Sequence, residues 1–200
     1  AKIVMTSYAL EEADTPVEVF EACRAFCSEM CDDPDCRDTV IYGGNNWYYA
    51  YGKSSAKEIL GDSAYLAEMT EGIENRPFMV MDDGWQIDHS DSYNGGPWRV
   101  GNADYGDMGE LAAQMRAKNV RPGIWFRPLY DHSADIPAEW RLERNAEVFD
   151  ISVSEVLEHI AQDIRQLGDW GYELIKHDFS TYDIFGCWGF ETVSYTHLTL

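Results

Sequence analysis

Apolar positions along the chain switch between helical and strand spacing, and each switch marks an element. Thr15-Pro16-Val17-Glu18 joins a capping hydroxyl, a proline at the first helical position and an acid at the third. A helix is expected to start there, with Phe20, Cys23, Cys27 and Met30 along one side. After the turn-rich Asp32-Asp33-Pro34-Asp35, the β-prone run Thr39-Val40-Ile41-Tyr42 predicts a first strand leading into Gly43-Gly44-Asn45-Asn46-Trp47. Ser55 and Glu58 form a capping box for a second helix, closed by Gly72, with Ile59, Leu66 and Met69 facing inward. Pro77-Phe78-Met79-Val80-Met81 is a continuous apolar run, as expected of a strand buried on both faces of a parallel sheet.

The second half repeats the alternation. A long loop rich in Asp, Asn, Gly and Ser spans 86–106. Asp107 and Glu110 then cap a helix whose stripe is Met108, Leu111, Ala112 and Met115. A third strand is expected from Val120 to Phe126, interrupted at Pro122-Gly123, followed by a second loop over 127–149. Ser152 and Glu155 predict another helix start, with Val156, Leu157, Ile160, Ile164 and Leu167 on one face and Gly168 and Gly171 at its end. Tyr172-Glu173-Leu174-Ile175 predicts a fourth strand entering Lys176-His177-Asp178. The order, a helix followed by β-α-β-α-β-α-β, predicts an α/β fold whose parallel sheet places its chemistry at the carboxyl ends of the strands.

Composition narrows the options. Two hundred residues fit one domain or a piece of a larger one, and 45% hydrophobic residues with 14% aromatics can sustain a packed core. A formal charge of −21 argues against nucleic acid and anionic membrane as partners, since both would be repelled. No apolar run reaches membrane-spanning length, and no secretory signal opens the chain, although it begins at Ala1 rather than Met. Cys23, Cys27 and Cys31 recur at helical spacing, with Cys36 and Cys187 elsewhere; they read as small apolar fillers rather than zinc ligands, because paired C-x₂-C knuckles are missing. The odd cysteine count leans toward a reducing compartment such as the cytoplasm. Seven tryptophans and twelve tyrosines can serve packing, or stacking on sugar rings where they cluster beside carboxylates.

Polar groups gather after every expected strand: Trp47 after the first, Asp82 and Asp83 after the second, Trp125 and Arg127 at the third, Lys176 and Asp178 at the fourth. A single pair such as Asp82-Asp83 could be a cap or a surface turn, but four sets in register are hard to explain that way. Residues two apart on a strand project to one side, so Lys176 would set a positive charge beside Asp178, as carboxylate nucleophiles require. Adjacent Asp82 and Asp83 could accept from two hydroxyls of one sugar, and Trp47 and Trp125 could offer apolar faces to a pyranose.

At these residues the sequence resembles the α-galactosidases of glycoside hydrolase families 27 and 36 (clan D), closer to family 36. The resemblance runs from Val40 to about Phe190. It is carried by Gly44-Asn45-Asn46-Trp47, Met81-Asp82-Asp83-Gly84-Trp85, the run from Asp107 to Arg121-Pro122-Gly123-Ile124-Trp125, Arg144-Asn145 before Val148-Phe149-Asp150, and Lys176-His177-Asp178. It implies the N-terminal half of a (β/α)₈ TIM barrel: a linker helix over 1–38 following a β-sandwich domain, the first four β/α units over 39–192, and a non-native tail over 193–200 that reads as translated sequencing adapter. It implies Asp178 as nucleophile, Lys176, Asp82 and Asp83 gripping galactose hydroxyls, Trp47 and Trp125 as pocket walls, and Arg144 as a further substrate contact. The implied reaction is retaining double displacement on a galactose-containing oligosaccharide or glycoconjugate, with no cofactor or metal; the complete protein could be a homo-oligomer. The family acid/base is an aspartate after a later strand and matches no residue here, so this polypeptide alone is expected to be inactive. His177 replaces the usual aromatic between lysine and nucleophile, and Arg127 and Leu129 stand where many relatives carry acids, which bears on the exact substrate. An α-N-acetylgalactosaminidase or another clan D glycosidase is the alternative within this class. Outside it stand a metal-dependent barrel hydrolase using His89, His132, His159 and His177, and a non-catalytic sugar-binding protein, which would have no need of Lys176-His177-Asp178.

Overall fold

A computed structural model describes residues 15–29 and 39–186 of the chain, which divides into two compact units, 1–40 and 41–200. In the first, helix α1 (Pro16–Glu29) starts on the expected capping box: the Glu18 amide donates to the Thr15 hydroxyl at 3.3 Å, which donates to the Glu18 carboxylate at 2.8 Å. Phe20 and Cys23 of the expected stripe are exposed. The side chain of Cys27, and Met30, Cys31, the 32–35 turn, Cys36, Cys187 and the 193–200 tail, lie outside the described residues.

The second unit is built on four parallel strands, β1 (Gly43–Asn45), β2 (Phe78–Met81), β3 (Arg121–Phe126) and, after a β4–β5 hairpin, β6 (Leu174–His177), in the spatial order β1-β2-β3-β6. A short turn α2 (Trp47–Ala50) and helix α3 (Ala56–Met69) connect β1 to β2; α4 (Met108–Ala117) connects β2 to β3; α5 (Ser154–Asp169) precedes β6, and α6 (Ser180–Phe185) follows it. The fold is the expected partial (β/α)₈ barrel.

The first strand lies later than predicted. Val40 (71% exposed) and Ile41 stand in solvent; the ladder opens where the Phe78 amide donates to the Tyr42 carbonyl at 2.8 Å and continues through Gly43, Gly44 and Asn45. Backbone approach decides this: a Cβ at Gly43 would sit 1.8 Å from the Phe78 carbonyl oxygen, so only glycine fits, whatever the β propensity of the run before it. β3 is continuous through Pro122-Gly123; the Pro122 carbonyl accepts from Glu173 at 2.9 Å, and a proline needs no N–H there. The 127–149 segment contains order that apolar spacing did not show, a 3₁₀ turn (Ala138–Trp140) and the antiparallel β4 (Arg141–Leu142) and β5 (Asn145–Phe149).

Helices α3 and α4 start as read, their Ser55 and Asp107 oxygens accepting from the amides of Glu58 and Glu110. α5 does not start on Ser152 and Glu155. Its cap is Val153, with no side-chain bond, because the Ser152 amide is taken by the Asp150 carboxylate at 2.9 Å. The inward face of α5 is Val156, His159, Asp163 and Leu167, whereas Leu157 and Ile164 are exposed; Met69 of α3 is likewise exposed (63%). The core packs Ile59, Met108, Leu111, Met115 and Leu167 from the helices with Met79, Met81, Ile124 and Phe126 from the sheet, around the indoles of Trp85 and Trp98, which meet at a tilt of 47°.

Candidate active site

Strand register sets the site. Asn45, Val80, Gly123 and Leu174 are aligned across the sheet, and the residues two further along each strand are Trp47, Asp82, Trp125 and Lys176. Because side chains two apart share a face, these four reach one level of the carboxyl-end mouth, and Asp178 stands two residues beyond. Trp47, Asp82, Asp83, Trp125, Lys176, Asp178 and Phe179 enclose a cleft of about 240 Å³.

The Lys176 ammonium is the hub: its Nζ lies 2.6 Å from Asp82 Oδ2 and 3.6 Å from Asp178 Oδ2. Asp82 is buried and heavily bonded. Asn45 Nδ2 donates to the same oxygen at 2.5 Å, the Asp83 amide donates to the other at 2.9 Å, and the Asn46 side-chain carbonyl accepts from the Asp82 amide at 2.7 Å. Asp178 is oriented from two sides, by Trp125 Nε1 donating at 3.1 Å and by the Phe179 amide donating at 2.9 Å. Its carboxylate remains partly open to the cleft, not sealed in a structural ion pair.

Asp83 is buried and accepts from Gln86 Nε2 at 2.8 Å. Burial pushes its carboxyl above the usual range, with Asp82 adding to the rise while Gln86, His89 and Asn94 oppose it. Trp125, only 1% exposed, meets the cleft through its indole N–H rather than an open ring face, whereas half-buried Trp47 borders it from the β1 side. Arg144 is not brought to this cleft; it sits in the exposed turn of the β4–β5 hairpin.

Two supporting residues, Phe179 and Asp183, carried no local sequence signal. Phe179, directly after Asp178, is held at φ 63°, a left-handed conformation costly for a non-glycine residue and typical of strained functional turns. Its ring packs edge-on to Trp125 and under the Arg127 guanidinium at 4.4 Å. Arg127 is buried and forms a two-pronged pair with Asp183 of α6, Nε to Oδ2 at 3.0 Å and Nη2 to Oδ1 at 2.5 Å, and also bonds Asn94. Asp183 lies in a helix that apolar spacing did not reveal, while Arg127 was visible as a departure from the family pattern. The histidines are dispersed: His89 against Gly52, His132 stacked on Tyr93, His159 between Trp140 and Phe149, His177 bonded to Ser180.

No protein-family model and no curated protein matches this sequence. Solved structures do. The galactosidase domain of an α-galactosidase–sucrose kinase is 22% identical, with a TM-score of 0.61 over 74% of this chain and 22% of its own. The α-galactosidase of Thermus thermophilus, in complex with p-nitrophenyl α-D-galactopyranoside, is 23% identical, with a TM-score of 0.56 over 81% of this chain and 34% of its own. The family 36 α-galactosidase of Geobacillus stearothermophilus is 23% identical, with a TM-score of 0.55 over 70% and 21%. This chain thus spans about a fifth to a third of those proteins, and its fold is similar to part of their α-galactosidase structures.

Proposed function

We propose that this chain supplies the sugar-gripping, nucleophile-bearing part of a retaining α-galactosidase site. The observation that carries the reading is the Asp82–Lys176–Asp178 line within one cleft, with Trp125 fixing the outer carboxylate. Asp82, Asp83 and Lys176 offer acceptors and donors suited to galactose hydroxyls, and Trp47 offers an aromatic wall. Asp178 attacks the anomeric carbon, the bond to the leaving oxygen breaks, and a glycosyl ester forms that water later hydrolyses with retained configuration. The leaving oxygen needs a proton, which the resemblance assigns to an aspartate after a later strand, about 5–5.5 Å from the nucleophile in retaining enzymes. Residues 1–200 alone are therefore inactive toward ordinary α-galactosides in this reading. The substrate class is a galactose-containing oligosaccharide, as the Geobacillus stearothermophilus neighbours are solved with stachyose and raffinose.

Covalent trapping tests it. In a polypeptide that completes the barrel, a fluorinated galactosyl fluoride should form an ester to the Asp178 carboxylate as fluoride departs with the bonding electron pair, a step needing no acid. Intact mass and peptide mapping should find one added fluorogalactosyl group on the peptide holding Asp178. An adduct elsewhere, or none at saturating reagent, overturns the reading.

A further inference from the structure

The turn that carries Asp178 is closed into a ring of contacts by two residues that do not line the cleft, Arg127 and Asp183. The Asp178 amide donates to the Phe126 carbonyl at 3.0 Å, which ties the start of the turn to the end of β3, and Arg127 is the next residue there. Arg127 and Asp183 are both buried and joined by two bonds, Nε to Oδ2 at 3.0 Å and Nη2 to Oδ1 at 2.5 Å. The Asp183 amide then donates back to the Phe179 carbonyl at 2.9 Å. One residue thus grips Arg127 with its side chain and the turn with its backbone. The guanidinium also lies over two rings, Phe179 at 4.4 Å and Tyr130 at 3.9 Å, and its Nη1 bonds Asn94.

Two costs show what the ring of contacts does. Phe179, at φ 63° and ψ −9°, sits in the left-handed region, where its Cβ crowds the backbone and surrounding structure must hold it. The same turn brings the Phe179 amide onto Asp178 Oδ1 at 2.9 Å, while Trp125 Nε1 donates to Oδ2 at 3.1 Å. Both carboxylate oxygens are therefore fixed through Phe179, whose ring also meets Trp125 edge-on at 6.3 Å. The second cost is electrostatic. Taking Arg127 and Asp183 out of water is expensive, and apolar residues in place of such a pair often leave stability unchanged, so packing alone does not call for it. A two-pronged fork supplies geometry instead, a fixed distance and plane between the end of β3 and α6.

We infer that Arg127 and Asp183 are a positioning pair for the nucleophile: their fork, with the guanidinium against Phe179, holds the 178–179 turn and so aims the Asp178 carboxylate. For catalysis this rests on the galactosidase reading of the cleft; for geometry it does not, and the two are measured separately. The main variant joins Arg127→Met to Asp183→Leu, which removes both charges together and leaves neither buried alone. In the 200-residue chain, hydrogen exchange followed by NMR should quicken about tenfold or more at the Phe179 amide and the Trp125 indole N–H, while amides paired within β2 and β3 keep their protection. In a polypeptide that completes the barrel, a saturating fluorinated galactosyl fluoride should form its ester to Asp178 about thirtyfold more slowly, with the half-saturating concentration within about threefold. Arg127→Lys keeps the charge without the fork and should lose about fivefold in the same rate. A purely structural pair would alter the amount of folded protein, and with it the amount of ester, but neither the rate of ester formation nor the local exchange pattern. Unchanged exchange at both N–H groups, an unchanged rate, or a loss confined to the half-saturating concentration overturns the inference. If the parent protein forms no ester at Asp178, the galactosidase reading has failed; faster exchange confined to the two N–H groups would then still support the pair as the support of this carboxylate, and unchanged exchange would overturn it.

Discussion

Two regions of the molecule bury carboxylates beside basic groups, and they do so to opposite ends. In the cleft, Asp82 is ringed by Lys176, Asn45 and a backbone amide, and Asp178 by Trp125, a backbone amide and the same ammonium. Against α5, beneath the β4–β5 hairpin, Asp163 is buried with His159 at 3.6 Å, longer than a hydrogen bond, and His159 Nε2 has no other partner. Burial raises the Asp163 carboxyl to about 7, and burial lowers the His159 imidazole. Donors therefore converge on Asp82 and Asp178 where the cleft opens to a ligand, while around Asp163 and His159 they do not, and burial favours the neutral forms there. Counting acids and bases would not separate the two; counting the donors that reach each carboxylate does.

The largest expected effect comes from removing the proposed nucleophile. In a barrel-complete protein, Asp178→Ala should lower kcat on an aryl α-galactoside at least about a thousandfold while galactose still binds, because Lys176 and Asp82 remain. Loss of binding together with turnover would make Asp178 a sugar-gripping residue and undo the contrast. Next comes the hub. Lys176→Met leaves two carboxylates facing each other without their shared cation, and kcat/KM should fall about a hundredfold, with weaker galactose binding measured by calorimetry. A change under threefold would mean the ammonium belongs, like His159, to packing.

What the sequence showed follows from the same contrast. The alternation of elements, the caps at Thr15, Ser55 and Asp107, and the buried stripe of α4 are local patterns, and the structure has them where periodicity put them. Residues delivered by strand ends were also legible, since a parallel sheet converts order along the chain into proximity: six of the seven candidate residues border one cleft. Features that depend on distant partners were not legible. The start of β1 is decided by how closely Gly43 must pass Phe78, and the inward face of α5 by what the hairpin brings over it, Trp140 and Phe149 against His159. Apolar letters misassigned that face because a histidine and an aspartate occupy its centre.

The α5 pocket should announce itself through pH. A carboxyl whose folded pKa of about 7 exceeds its ordinary 3.8 binds its proton more tightly when folded. Its stabilising contribution is largest below about pH 4, shrinks as pH rises through the window, and is gone above about 7. Asp163→Asn mimics the protonated form, so it should raise stability at pH 8 by roughly 1–3 kcal/mol, a few degrees in Tm, and change little at pH 4. An equal effect at both pH values would mean that folding does not tighten the hold of Asp163 on its proton.

Arg144 tests the boundary between the regions with the smallest effect. It belongs to the hairpin that roofs the α5 pocket, exposed in the turn between β4 and β5, and its neighbours Arg141 and Glu147 are occupied with the loop itself: Arg141 Nη1 donates to the Asp131 carbonyl at 2.5 Å, and Tyr130 donates to Glu147 at 2.8 Å. As placed, it makes no contribution to the cleft, and Arg144→Ala in a barrel-complete protein should change kcat/KM for an aryl α-galactoside by less than about twofold, with stability within about 0.5 kcal/mol. A tenfold rise in KM at unchanged kcat would instead mean that the assembled enzyme carries this hairpin to the sugar. The hairpin would then serve binding as well as packing, and the division drawn between the two regions would run through it.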